Sequence, residues 1–263
     1  MKKITVYKKY DGPNLFGKIC KGDALSFLKS LDSNIGSLIF LDPPFNLGKI
    51  YDTNQPDLDK RNSSQYQGWI EKILDECIRI LMPGGSLYLY HLPIWAMRFG
   101  GYLDQSLELR HWISLSMKNG FARGKKLYPA HYSLLYFSKG FPKNFKRPKI
   151  DPQKCRKCGE YIKDYGGYKS IIDEKGINLS DFWEDTSPLR HISRKHRNSN
   201  ELPKLIFDRV LSISGAPNEF YIDPFAGSGS GVIGAAELKM KFLCCDLLES
   251  NCSIIANRLE NFV

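Results

Sequence analysis

Gly36-Ser-Leu-Ile-Phe-Leu-Asp42-Pro-Pro-Phe45-Asn46 is the stretch on which the whole chain turns. Ser37 to Leu41 are small or apolar without a break, the pattern of a short strand buried in a parallel sheet, and Pro43 and Pro44 stop it at its carboxyl end. Open α/β sheets bind their ligands at that end. A strand-to-loop turn with Asp42 capping a helix would account for Asp-Pro alone. The full run offers more than a turn needs: acceptor oxygens on Asp42, two prolines that fix the direction of the carbonyls, and the flat face of Phe45.

A second landmark lies near the other end, Phe220-Tyr-Ile-Asp223-Pro224-Phe225-Ala226-Gly227-Ser228-Gly229-Ser230. Tyr221 to Asp223 close a strand, the glycines let backbone approach a ligand without a Cβ in the way, and a helix begins over Val232 to Leu238. Lys241 to Asp246 form the next strand, whose terminal acid stands 23 residues past Asp223, placed to hold ribose hydroxyls. A rival reading is a dinucleotide loop at Gly229-Ser-Gly-Val-Ile-Gly234. It puts Gly234 inside the helix, leaves only twelve residues before Asp246, and gives Asp42 to Phe45 nothing to do.

The strand end at Asp42 suits an exocyclic NH2 on a planar base. That nitrogen is a poor nucleophile because its lone pair is delocalised into the ring, so a catalyst has to accept its hydrogens and let it pyramidalise. Asp42 and the Pro44 carbonyl would accept while Phe45 stacks on the ring. The run Asp42-Pro43-Pro44-Phe45 resembles the catalytic motif of the amino-group DNA methyltransferases, and the turn at 223–229 resembles their cofactor loop. Catalytic motif first and cofactor loop last resembles the permuted β class of that family, with the likeness covering the chain outside 141–199.

That resemblance implies a Rossmann-like α/β fold: a seven-stranded, mostly parallel, circularly permuted sheet with a small basic recognition subdomain. It divides the chain into a catalytic half over 1–140, a target recognition region over 141–199 and a cofactor-binding half over 200–263. The implied reaction is direct methyl transfer from S-adenosylmethionine to the amine of a base flipped out of duplex DNA. Adenine is favoured, because members acting on cytosine more often carry Ser in place of Asp42. The cofactor residues carried over are Asp23, Asp42, Asn200, Asp223, Pro224, Phe225, Ala226, Gly227, Ser228, Gly229 and Asp246. A sulfonium cation beside Phe45, Phe225 and Asp223 makes electrostatic sense. Glu201-Leu-Pro203 stands where many members carry Lys-Pro, which weakens the match at Asn200. Asp23, after Gly22, keeps two readings: contact to the cofactor's adenine, or a helix N-cap.

The rest of the chain fits around these landmarks. The first sixteen residues read as a basic, aromatic arm packed on the domain, followed by a strand over 18–23 and a helix from Ala24 to Lys29. Leu47 to Gln67 form a long loop with Lys49, Tyr51, Asp52, Lys60 and Arg61, expected to close over cofactor and base. Helical spacing over Trp69 to Leu81 ends at Pro83-Gly-Gly85, and a strand runs from Ser86 to Leu92. His91 at that strand end reads as a packing or rim residue and is left out of the site. Strands are expected over Leu107 to Met117 and His131 to Ser138, around a basic, aromatic stretch from Lys118 to Tyr128 that suits either phosphate contacts or a solvated hairpin.

The 263 residues carry a net charge of +10, with a pI near 9.1, which points to a polyanionic partner. Between Lys139 and Asn200, 15 Lys and Arg stand against 8 Asp and Glu, so this segment holds +7 of that charge. Lys125, Lys126, Arg147, Arg156, Lys157 and Arg194 are the candidates for contacting double-stranded DNA, with Arg190 and Arg197 beside them. Cys155-Arg-Lys-Cys158 has the spacing of half a zinc ribbon, but no second Cys-x-x-Cys follows, and His191 and His196 would have to complete a mixed site. No metal is assigned to the reaction. Seven cysteines, an odd number, fit reduced thiols, and no run is long enough to span a membrane or act as a signal peptide, which places the chain in the cytoplasm. A homodimer and a cognate restriction endonuclease are the further partners the resemblance suggests. Cytosine-N4 transfer, an RNA or protein amine substrate, and an inactive DNA-binding protein are the alternatives.

Overall fold

In the computed structural model, which describes residues 4–48, 60–116, 124–125, 127–155, 157–162, 166–167, 172, 175–186 and 201–262, the stretch at 36–41 is a strand with all six residues buried. Among the described residues eleven strands run in chain order: β1 Thr5–Asp11, β2 Phe16–Lys21, β3 Gly36–Leu41, β4 Leu81–His91, β5 Glu108–Ser116, β6 His131–Ser138, β7 Lys149–Ile150, β8 Ile177–Asn178, β9 Phe182–Trp183, β10 Phe220–Asp223 and β11 Lys241–Asp246. Among the described residues the helices are α1 Ala24–Lys29, α2 Ser63–Ile80, α3 Pro93–Leu103, α4 Lys204–Ser214, α5 Ser230–Glu237 and α6 Glu249–Leu259.

Nine of the strands form one sheet in the order β1-β2-β11-β10-β3-β4-β6-β5-β9. The five from β2 to β4 are parallel, and β6 runs antiparallel to both its neighbours. The expected seven strands are β2 to β5 in that order. Two edge strands extend them: β1, where an arm was expected, pairs antiparallel with β2, and β9 from within 141–199 pairs with β5.

Alternation along β3 shows how the sheet is sandwiched. Leu38 and Phe40 pack into one core with side chains of α4, α5 and α6, while Ile39 and Leu41 pack into the other with α1, α2 and α3. Each fully buried aliphatic side chain contributes roughly 1.5–3 kcal/mol, so a strand apolar at every position is stable only with both faces covered. From β3 the chain leaves through α2 to β4 on one side; from β10 it leaves through α5 to β11 on the other. The two parallel neighbours β3 and β10 therefore flank the point where strand order reverses, and the crevice of such a sheet opens at their carboxyl ends.

Two boundaries differ from expectation. Helix α2 starts at Ser63, because Asn62 caps it by accepting the Gln65 N–H at 2.8 Å, and Asn62-x-x-Gln65 is the start signal. Pro83-Gly84-Gly85 does not separate helix from strand but bulges out of β4: Gly36 pairs with Leu81 and Leu38 already with Ser86. Gly84, at φ 76°, accepts the Lys143 N–H and donates to Lys139, so the bulge anchors the start of the segment after β6. No helix among the described residues is long and apolar enough to cross a membrane.

Candidate active site

The turn after β3 and the turn after β10 open onto one cleft, about 290 Å³ with the open solvent in its mouth included, lined among others by Phe40, Asp42, Asp223, Phe225, Gly227 and Ser228. Ser230, Ala226 and Phe207, with Glu201 and Leu202 from just before α4, complete its lining. The pairing of β3 with β10, Leu38 opposite Tyr221 and Ile39 opposite Ile222, is what brings residues 183 positions apart to the same spot.

The glycine side is built from backbone. Gly227 and Gly229 adopt φ of 54° and 80°, and Gly229 caps α5 in the left-handed conformation. A Cβ at Gly229 would lie 2.6 Å from Ile255 Cγ1, so α6 forbids any side chain there. Asp246 holds this turn from the next strand: its carboxylate accepts the N–H groups of Gly227 and Leu248 and the Asn251 amide, each at 2.9 Å. Arg258 grips the other flank, donating to the Ser228 carbonyl at 2.6 Å. Asp246 thus shapes the loop but is not among the residues lining the cleft.

Asp223 is buried, its carboxylate accepting from the Tyr221 hydroxyl and the Phe225 N–H, each at 3.0 Å. Burial pushes its pKa up to about 7; the two hydrogen bonds oppose the shift, and the charges of Asp42 and Asp246 add to it. Asp42, Asp223 and Glu201 make the cleft acidic in a chain of net charge +10.

The Asp42 side is built from side chains. Phe45 stacks on His91 at 4.8 Å and 24°, with Tyr90 and Tyr132 tilted against it at 5.7 and 6.0 Å. Burial, with Asp42 adding its charge, raises the Tyr90 and Tyr132 hydroxyls above the ordinary phenol value. The Pro44 carbonyl, expected to face the amine, accepts the Tyr66 hydroxyl at 2.6 Å, one of the two hydrogen bonds a carbonyl oxygen can take. Asn46, at φ 57°, pairs twice with the Arg61 backbone at 2.7 and 2.8 Å, and the Arg61 guanidinium lies 4.3 Å over Trp69.

Of the residues expected at the site, Asp42, Asp223, Phe225, Ala226, Gly227 and Ser228 line the cleft; Pro43, Pro44, Phe45, Pro224 and Gly229 lie in the two turns. Asp23 caps α1 by accepting the Ser26 N–H at 3.0 Å, next to Gly22, which donates to the Asp246 carbonyl. Lys125, Arg147 and Lys157 are exposed. Asn200, Lys126, Arg156, Arg194, most of the loop at 47–67 and both His191 and His196 lie outside the described residues. Cys155 sits in a tight turn closed by the Gly159 N–H at 2.9 Å, Cys158 is exposed, and all seven cysteines are free. Among the described residues no group of three His, Cys, Asp or Glu gathers as metal ligands would. Tyr66, His91, Tyr90, Glu201 and Arg258 were not expected here; only the polar character of His91 at a carboxyl strand end signalled one of them.

The model of the DNA methylase family matches residues 37–257. The chain is 44% identical over 246 residues to the Type II methyltransferase M.BamHI of Bacillus amyloliquefaciens, covering 93% of this chain and 57% of that protein. Its fold is similar to the PvuII DNA methyltransferase (cytosine-N4-specific), with a TM-score of 0.66 at 14% identity over 97% of this chain and 90% of that one. The M1.HpyAVI–SAM complex gives a TM-score of 0.60 at 17% identity, over 93% and 99%.

Proposed function

The chain belongs to the DNA methylase family matched over residues 37–257, and we propose that it transfers a methyl group from S-adenosylmethionine to the exocyclic amine of a base in double-stranded DNA. What carries the proposal is the single cleft lined by Asp42 from one turn and by residues 226–228 from the other. S-adenosylmethionine, when bound, supplies an electrophilic methyl on a sulfonium cation, and the acidic, aromatic lining suits a cation. Gly227, Ser228 and Gly229 would let it lie against backbone, and Glu201, buried in the lining, suits a positively charged amino group.

Asp42 would accept a hydrogen bond from the target amine, drawing electron density onto its nitrogen, and would take up the proton that the nitrogen sheds once it carries the methyl. The Pro44 carbonyl accepts the second hydrogen bond, and Phe45, backed by His91, offers its face to the ring. The 141–199 segment, with most of the excess positive charge, would contact the DNA. Adenine N6 is the first reading, from Asp at the first motif position. Cytosine N4 is the second, favoured by the likeness in fold to the cytosine-N4-specific PvuII enzyme.

The test is expression in a host lacking its own DNA methylation, followed by sequencing with detection of modified bases. One recurring site methylated on an exocyclic amine, absent with Asp42→Ala, is the expected result, and it names the base. Unmodified DNA, with the purified chain methylating RNA or protein instead, would overturn the proposal.

A further inference from the structure

The motif at 42–45 is held from behind by two buried side chains that contribute nothing to the lining of the cleft. Tyr66, in the first turn of α2, and His91, the last residue of β4, are both fully buried. The Tyr66 hydroxyl lies 2.6 Å from the Pro44 carbonyl and 2.7 Å from His91 Nε2. The direction of the protons is set by the other ring nitrogen. His91 Nδ1 accepts the Leu92 N–H at 2.8 Å, so it bears no hydrogen, and in the neutral ring the proton sits on Nε2. Nε2–H then donates to the Tyr66 oxygen, which leaves the Tyr66 hydrogen for Pro44. Burial lowers the His91 pKa to about 3, in keeping with a neutral ring.

The same imidazole stacks on Phe45 at 4.8 Å. Trp95 and Phe99 enclose the pair from the far side, Trp95 4.7 Å from the Tyr66 ring and Phe99 5.7 Å from His91. One histidine therefore fixes two of the motif's elements, the carbonyl through Tyr66 and the aromatic face directly. If packing were the whole story, Phe at both positions would fill the same space with no polar atom to satisfy.

The geometry points to Tyr66 and His91 as positioning residues for methyl transfer: the relay from His91 to Tyr66 to Pro44 sets the direction of the carbonyl that receives the target amine. A carbonyl rotated away would still let base and cofactor bind, so the loss appears in the chemical step and not in affinity. This inference rests on the methyltransferase reading and adds to it two residues that touch neither substrate nor cofactor.

The experiment measures single-turnover methylation of unmethylated, high-complexity genomic DNA with radiolabelled S-adenosylmethionine, together with cofactor affinity by calorimetry. The variants separate the two links. Tyr66→Phe keeps the ring and removes the hydroxyl; His91→Phe keeps the stack on Phe45 and removes the donor; His91→Gln restores a donor without the ring. We expect Tyr66→Phe to slow the single-turnover rate about tenfold with cofactor affinity and KM for DNA unchanged. Adding His91→Phe to Tyr66→Phe should cost nothing more, because the relay is already broken. His91→Gln should be faster than His91→Phe. Wild-type rates in Tyr66→Phe, or additive losses in the double variant, would overturn the relay while leaving the methyltransferase reading intact. An inactive wild-type chain that binds no cofactor would instead overturn that reading, and the relay with it. Should Tyr66→Phe not fold, the comparison of His91→Gln with His91→Phe decides alone.

Discussion

The two turns that meet in the cleft solve the same problem, holding irregular backbone at a strand end, by opposite means. The turn at 223–230 is shaped by absence. Glycines at positive φ, a Cβ forbidden at Gly229 by Ile255, and a carboxylate from Asp246 behind it leave peptide surface facing the cavity. The turn at 42–46 is shaped by presence: two prolines restrict the chain, Tyr66 holds the Pro44 carbonyl, and His91, Tyr90 and Tyr132 surround the Phe45 ring. On the proposed function, the difference fits one side to a ligand bound closely and the other to a group held in orientation. Binding and chemistry should therefore separate under mutation.

The largest effect is expected from Asp42→Ala. Methyl transfer should fall by roughly a thousandfold, while cofactor affinity by calorimetry stays within about threefold. Equal loss of both would erase the distinction between the turns. Gly229→Ala should do the reverse of Asp42→Ala. The strained φ of 80° and the Ile255 contact at 2.6 Å should lower stability by about 2 kcal/mol or more, seen as a drop in Tm, with cofactor binding weakened first.

Asp223→Asn sharpens the comparison through pH. The folded pKa of about 7 lies above that of the unfolded chain, so this carboxyl's contribution to stability is complete below the unfolded value and is lost as pH rises through about 7. The ligand-free variant should melt a few degrees above wild type at pH 8 and match it near pH 4, while binding the cationic cofactor less well at pH 8. A Tm gap unchanged from pH 4 to 8 would mean that the carboxyl is not buried with a raised pKa. Smallest is Tyr221→Phe, which removes one of two donors to Asp223 and should cost about 1 kcal/mol in thermal unfolding, with the chemical rate unchanged.

The same divide decides how much of the molecule was legible in the sequence. The glycine turn and the proline turn were readable because Gly and Pro constrain backbone locally, whatever folds around them. The apolar run at 37–41 announced a strand covered on both faces, and it is one. Strand β1 read as an arm because its burial alternates weakly and only pairing with β2 makes it a strand. The Pro-Gly-Gly bulge read as a helix stop because pairing across β3, invisible locally, carries the strand past it. Tyr66 falls in the stretch 47–67 that reads as a loop, His91 reads as a packing or rim residue 25 positions on, and only the fold brings both to Pro44. The spacing of Asp246 points to ribose, and what only the fold adds is that its carboxylate also accepts the Gly227 and Leu248 N–H groups and the Asn251 amide at 2.9 Å.

The central claim, that one cleft seats the methyl donor on the glycine side and the target amine on the Asp42 side, is tested most directly by a crystal structure with sinefungin, whose amine replaces the transferable methyl group. The account predicts adenosine and amino-acid ends along residues 223–230 and Glu201, with the sinefungin amine turned toward the Asp42 carboxylate. An analogue bound in that cleft with its amine facing away from Asp42, or bound elsewhere on the chain, would contradict it.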